Sequence, residues 1–262
     1  MTLNTVISAR DFDLVRVSAV RALKSRYRGS ALGVLWSFAS PLLMTAIYSA
    51  IFGTAFSAYY DNSIVRYLLS AFVGIAAITF FSQATGEALS SVVANGGLLN
   101  KISLPSWTFP IASVAANTFQ QGLTMFPALL IMSAFVTHDP VRVILVPLVL
   151  AAFILMIAGF ALALSALFVF YRDMQYLWGI IAFILWMTSP VFYPAALVPP
   201  VVRPWVLVNP VGSAISALRA VTIDRGPIDF GAMGVFGAIA VACAVLGALV
   251  FARTRKQFMD LL

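Results

Sequence analysis

Four stretches without a single charged residue, Gly29–Tyr60, Ile102–Thr137, Val143–Tyr171 and Met174–Val202, constrain this chain more than anything else in it. Each exceeds the roughly 20 apolar residues that a helix needs to cross a bilayer. They are apolar on every side, without the period-two alternation of a membrane β-barrel strand. Of the 262 residues, 62% are hydrophobic and 10% charged, against roughly 25% charged in a soluble domain. A soluble globule of this length could not hide so much apolar surface. The predicted fold class is therefore an all-α integral membrane protein in one domain.

Six membrane helices are predicted, at roughly 31–56, 67–88, 107–136, 143–170, 174–190 and 230–252. Glu87, at the end of the second, weakens that span. Residues 1–28 form a separate element, and residues 253–262 a cytoplasmic tail. Residues 191–229, between spans five and six, hold six of the 13 prolines. That segment is too apolar for a solvated loop and too broken for a span. Irregular backbone at membrane depth survives only when buried in protein or lining a cavity. We therefore expect this segment to dip into the outer leaflet and shape an exit. Within it Asn209 is a good helix N-cap and Pro210 a favoured first helical residue. Ile215, Leu218 and Val221 then supply an apolar face.

The net charge is +7, and the basic residues flank apolar runs, which points to membrane orientation rather than nucleic acid. With the N-terminus inside, Arg10, Arg16, Arg21, Lys24, Arg26, Arg28, Lys101, Arg172, Arg253, Arg255 and Lys256 face the cytoplasm. Arg66, Arg142, Arg203, Arg219 and Arg225 face outward. The first 28 residues are Arg-rich and lack the apolar core of a signal peptide. On a helical projection Phe12, Val15, Ala19, Ala22, Leu23 and Tyr27 share one face, with Arg10, Asp13, Arg21, Lys24 and Arg28 opposite. This is the pattern of an interfacial helix. Arg26 falls inside the apolar face and breaks it.

Little in the chain could catalyse a reaction. The one histidine, His138, sits in a predicted outer turn beside Asp139. There is no spaced carboxylate pair within a span and no cluster with metal-ligand spacing, so no catalytic residue, metal or cofactor is expected. No G-x-x-x-x-G-K-[ST] occurs, so any ATPase must be another polypeptide. The spans lack the mid-membrane carboxylates usual in ion-coupled carriers. Tyr48, Phe52, Phe56 and Tyr60 recur every four residues down the first span. Such a stripe suits stacking on sugar C–H faces, or simple helix packing. Trp178 and Trp186 on span five carry the same ambiguity. The inner stretch Asn95–Pro105 fits a short helix offering Leu98, Leu99, Ile102 and Leu104, either to a protein groove or to its own helices.

Four stretches together resemble the membrane subunit of type-2 ABC transporters that export cell-surface polysaccharide: O-antigen, teichoic acid, capsule or cell-wall galactan. They are Tyr27-Arg-Gly-Ser-Ala-Leu-Gly-Val-Leu-Trp36 running on to Pro41-Leu-Leu43; Asn95-Gly-Gly-Leu-Leu-Asn-Lys101 with Leu104-Pro105; Phe170-Tyr-Arg-Asp173; and Ser189-Pro-Val-Phe-Tyr-Pro194 followed by Asn209-Pro210. The resemblance implies a homodimeric permease for a polyprenyl-linked polysaccharide, served by two copies of a separate ATPase that binds ATP and Mg²⁺. It implies that the N-terminal helix (Arg21, Lys24, Arg28) and the loop helix (Asn95, Leu98, Leu99, Lys101, Ile102, Leu104) dock on that ATPase. It also implies short re-entrant gate helices around Pro190, Tyr193, Pro194, Asn209 and Pro210. Glycan-contacting residues are expected among Tyr48, Phe52, Phe56, Tyr60, Trp178 and Trp186. Two other functions fit less well: a type-2 exporter of a drug or small lipid, and a membrane transferase acting on lipid-linked sugar.

Overall fold

A computed structural model describes residues 9–31, 33–99, 104–194, 197–201 and 209–258, with side chains described from residue 13 onward. Among these residues there is no β-strand. In chain order the helices are α1 (Ala9–Arg26), α2 (Trp36–Phe56), α3 (Ile64–Ala94), α4 (Gly96–Leu99), α5 (Thr108–Leu123), α6 (Met125–Met132), α7 (Pro140–Phe170), α8 (Met174–Thr188), α9 (Pro210–Thr222) and α10 (Phe230–Thr254).

Four segments are long and apolar enough to cross a membrane: Gly33–Tyr59, Ile64–Ala94, Pro140–Phe170 and Phe230–Gln257. The expected third span, 107–136, is two helices bent by 47°. The break falls at Thr124, three residues ahead of Pro127, whose ring excludes a hydrogen bond to the carbonyl four residues back. Counting that pair as one span gives five. The expected fifth span is the 15-residue helix α8, shorter than the roughly 20 residues a straight crossing needs. Among the described residues, length and apolarity thus account for four or five of the six expected spans.

The second span, the weakest in the sequence, is the centre of the fold. α3 runs 31 residues and buries most of them, Tyr67 through Ile78 almost without interruption. Around it pack α2, α5, α7, α8 and α9. Phe80 and Phe81 each present an edge or face to aromatic neighbours, Phe126 and Phe153 for the first, Phe160 and Trp178 for the second. The closest helix crossing is α7 on α10. A Cβ placed on Gly247 would collide with the backbone of Gly159, and one on Gly159 with the backbone of Cys243. Small residues let two helix backbones approach where no water-driven collapse is available.

A second cluster joins the helix ends on one side: Val92 of α3, Leu99 of α4, Phe109 of α5, Ala166 and Val169 of α7, Phe251 of α10, and Phe258. α1 packs along α5 beside it. The described N- and C-terminal segments therefore share one end of the molecule. In α1 the side-chain distribution follows the sequence pattern. Ala19 is buried and Val15, Ala22, Leu23 and Tyr27 half-buried, while Asp13, Arg21, Lys24 and Arg28 are exposed.

Candidate functional site

The sequence places two misfits far apart, Arg26 in an apolar helix face and Glu87 at the edge of a span. The structure puts them together. The Arg26 guanidinium pairs with the Glu87 carboxylate and donates to Gln120 Oε1 at 2.5 Å and Asn117 Oδ1 at 3.2 Å. Asn117 Nδ2 donates in turn to Glu87 Oε2 at 2.9 Å. Burying a charge is tolerated only when it is paired and hydrogen-bonded, and here four side chains from α1, α3 and α5 satisfy one another. Beside them lies an open cleft of about 420 Å³, lined by Arg21, Ser25, Ser90, Asn95, Leu98 and Ser113 among others.

From this cluster a polar stripe climbs one face of α3. Glu87, Gln83 and Thr79 lie four residues apart, with Ser82 alongside. Thr79, Gln83 and Gln120 line a cavity of about 280 Å³ together with Trp36, Ser37 and Ser40. Thr79, Ser82 and Gln83 also border the hollow beneath Trp186. The Gln83 side chain is exposed, although its helix is apolar enough to cross a membrane. An amide facing hydrocarbon without a partner costs several kcal/mol. This face is therefore suited to water, a polar ligand or another protein surface rather than lipid tails.

Above Trp186 the lining turns aromatic. Trp186 meets Phe192 at 6.3 Å between ring centroids, and Phe192 lies nearly parallel to Tyr48 at 4.8 Å. Phe52 stacks on Phe192 at 5.9 Å and on Phe56 at 5.5 Å. Phe56 and Tyr60 each set an edge on Tyr67. Of the four rings expected as a stripe, Tyr48, Phe52 and Phe56 run along α2 and Tyr60 lies beyond its end, all four half-buried rather than free. Phe192, part of the Ser189–Pro194 motif, is the ring that joins them to Trp186. Trp178 does not belong to this face. It is 6% exposed and packs on Phe81 and Phe160 inside the chain's own core.

The segment after α8 is held by polar contacts from three helices. Asn209 caps α9, its Oδ1 accepting from the backbone N–H groups of Val211 and Gly212. Its Nδ2 donates to Ser189 Oγ at 2.9 Å and Thr188 Oγ1 at 3.0 Å. Arg219 of α9 donates to the carbonyls of Ser70 at 3.0 Å and Val191 at 2.7 Å. Tyr67 Oη donates to the Phe192 carbonyl at 2.9 Å. Gly74 leaves room for this segment, since a Cβ there would strike Val191. Pro190 and Pro194 are buried, and Tyr193 half-buried, with its hydroxyl reaching the Met187 carbonyl at 3.3 Å. Pro210 opens α9, whose residues Val211, Ala214, Ile215, Leu218 and Val221 join the main core. The expected cap and apolar face of this helix are both present.

Of the residues expected to meet an ATPase, Arg21, Lys24 and Arg28 are exposed and Asn95 half-buried. Asn95 Nδ2 donates to the Ser91 carbonyl at 2.8 Å. Leu98 is exposed and borders the cleft. Leu99 is buried against Val92, Phe109 and their neighbours, with Leu104 packed beside it. The expectation that Leu99 offers itself to a partner is thereby corrected, because its contacts lie within this chain. Lys101 and Ile102 lie outside the described residues. The polar residues Thr79 and Gln83, four apart in α3, and Asn117 and Gln120, three apart in α5, are not among the site residues expected from the sequence, and their helical spacing in otherwise apolar helices is the signal that marks them.

Comparison with known proteins places these features in a family. Residues 13–223 match the ABC-2 type transporter family. The chain is 23% identical over 256 residues to the O-antigen export system permease protein RfbA of Klebsiella pneumoniae, covering 96% of this chain and 95% of that one. It is 25% identical to the protein of the same name from Myxococcus xanthus, covering 92% of each. The capsule polysaccharide export inner-membrane protein CtrC of Neisseria meningitidis serogroup A is 23% identical, over 77% of this chain and 76% of that one. The chain belongs to the ABC-2 type transporter family and is a multi-pass membrane protein.

Proposed function

We propose that this ABC-2 chain is the permease subunit of an ATP-driven exporter that moves a lipid-linked polysaccharide across the bacterial cytoplasmic membrane. It works as a homodimer with two copies of a separate ATPase, and both termini face the cytoplasm. The carrying observation is the exposed Gln83 amide, with Thr79 and Ser82, continuous through Trp186 and Phe192 with the stacked rings of α2. A glycan is polar at its hydroxyls and apolar at its C–H faces. An amide-and-hydroxyl strip followed by flat rings matches both, with contacts weak enough to release a moving polymer. The near end-to-end likeness to O-antigen export permeases supports the same substrate class.

In this reading α8 completes a sixth crossing. The Ser189–Pro194 segment and α9 close the outer end as a gate, and ATP and Mg²⁺ belong to the partner subunit. Arg21, Lys24, Arg28, Asn95 and Leu98 face that subunit, and Lys101 and Ile102 continue its contact. Depletion of the chain in cells tests the proposal. Lipid-linked polymer should accumulate inside while surface polymer falls; unchanged surface polymer would overturn it.

A further inference from the structure

At the end of the molecule that carries both described termini lies a groove unrelated to the polar track. It holds about 500 Å³, within the usual range for a site that takes a small amphiphile. Trp107, just ahead of α5, and Ile111 of α5 form one wall and Leu162 of α7 another, over Ala248 and Phe251 of α10. Arg255 stands at the rim. Leu162 lies eight residues before the end of α7, so the groove reaches about 12 Å inward from the helix end. Every lining residue but Arg255 is apolar or aromatic.

The charge at the rim is one-sided. Arg253 and Lys256 flank Arg255, all three exposed. None makes an ion pair among the described residues, where the pairs are Arg26–Glu87, Arg66–Asp61 and Arg142–Asp139. Among the described residues no acidic side chain lines the groove. An apolar slot running inward from the helix end, with an aromatic ring at its mouth, and a cation that makes no ion pair among the described residues form a two-part receptor. Such a receptor suits a molecule with one negative head and a hydrocarbon tail. Aromatic side chains prefer the membrane–water boundary, and a basic side chain near an anionic headgroup gains about a factor of five in binding.

We propose that this groove binds an anionic phospholipid of the adjoining leaflet, its phosphate held by Arg255 and one acyl chain lying between Trp107, Ile111 and Leu162. A lipid there would splint α5, α7 and α10 at the end where Phe109, Val169 and Phe251 already meet.

The test is native mass spectrometry of the purified full-length chain, offered phosphatidylglycerol and phosphatidylcholine at equal concentration. The wild type should retain phosphatidylglycerol several-fold more. Arg255→Gln and Arg255→Glu should lower that retention about fivefold or more, leaving phosphatidylcholine retention and the melting temperature unchanged. Leu162→Trp, which fills the slot, should lower retention of both lipids. Equal retention of the two lipids by the wild type would overturn the proposal, as would undiminished phosphatidylglycerol binding in both Arg255 variants. Efficient disulfide linkage between two copies carrying Ala248→Cys in a Cys243→Ser background would overturn it too, since a second copy would then fill the groove.

Discussion

The Arg26 guanidinium closes an ion pair with the Glu87 carboxylate, sixty-one residues away in sequence, and so ties the N-terminal helix to the central helix of the bundle. Asn117 and Gln120 complete the contact from α5. Three helices meet at one charge, and the cleft beside it opens toward the exposed basic face of α1.

A double-mutant cycle at this pair is the first test. Arg26→Ala leaves Glu87 and two amides short of a partner and should lower stability by about 1–3 kcal/mol. Glu87→Gln should cost less, because the carboxylate is 38% exposed and solvent screens part of the interaction. The cycle should show coupling of about 0.5–3 kcal/mol, read from thermal melting in detergent. Additive effects would mean that α1 is held by its apolar face alone.

Leu98 and Leu99 should separate cleanly. Leu99→Asp removes a buried leucine, itself worth roughly 2–5 kcal/mol, and puts a carboxylate among Val92, Phe109 and Phe251. It should lower folded yield before any partner is added. Leu98→Asp, at an exposed site bordering the cleft, should leave melting unchanged and weaken co-purification with the ATPase. Equal stability losses in both variants would contradict the placement of the loop helix.

Asn209→Ala should act twice. It deletes the cap of α9, worth about 0.5–2 kcal/mol, and strips Ser189 and Thr188 of their donor. Amide hydrogen exchange should rise in the first turn of α9 and around Ser189–Val191 together. Protection unchanged in the second region would show that the cap does not hold the motif.

Gly247→Ala and Gly159→Ala each drive a methyl group into opposing backbone. Overpacking of this kind costs roughly 1–3 kcal/mol, seen as loss of folded protein in detergent. By contrast Gly237→Ala, with nothing within 4 Å, should be neutral, which makes it the control on the same helix.

Much of this architecture is legible in the sequence because its signals are local. Asn209-Pro210 announces a helix start without knowledge of anything it packs on, and the α1 face follows from 3.6-residue periodicity. The missed features are those that only a neighbour explains. Arg26 breaks an apolar face and Glu87 spoils a span until they are seen to answer each other across the fold. The break at Thr124 hides in a charge-free run long enough to read as one span, with Gly122 and Pro127 on either side as its local marks. α8 reads as a span because apolar residues continue past Thr188 into Pro190–Pro194, although the helix itself stops. Leu98 and Leu99 are indistinguishable by type, and only packing separates the exposed one from the buried one.

The most direct measurement is polymer transport by the purified chain together with the proposed ATPase subunit in proteoliposomes, with the track residues varied. ATP should drive lipid-linked polysaccharide across the bilayer. Gln83→Leu and Phe192→Ala should each cut the rate several-fold while the complex forms and hydrolyses ATP at its basal rate. Transport at the wild-type rate in both variants, or no ATP-dependent movement of the polymer at all, would contradict the assignment of this face as the path of a glycan.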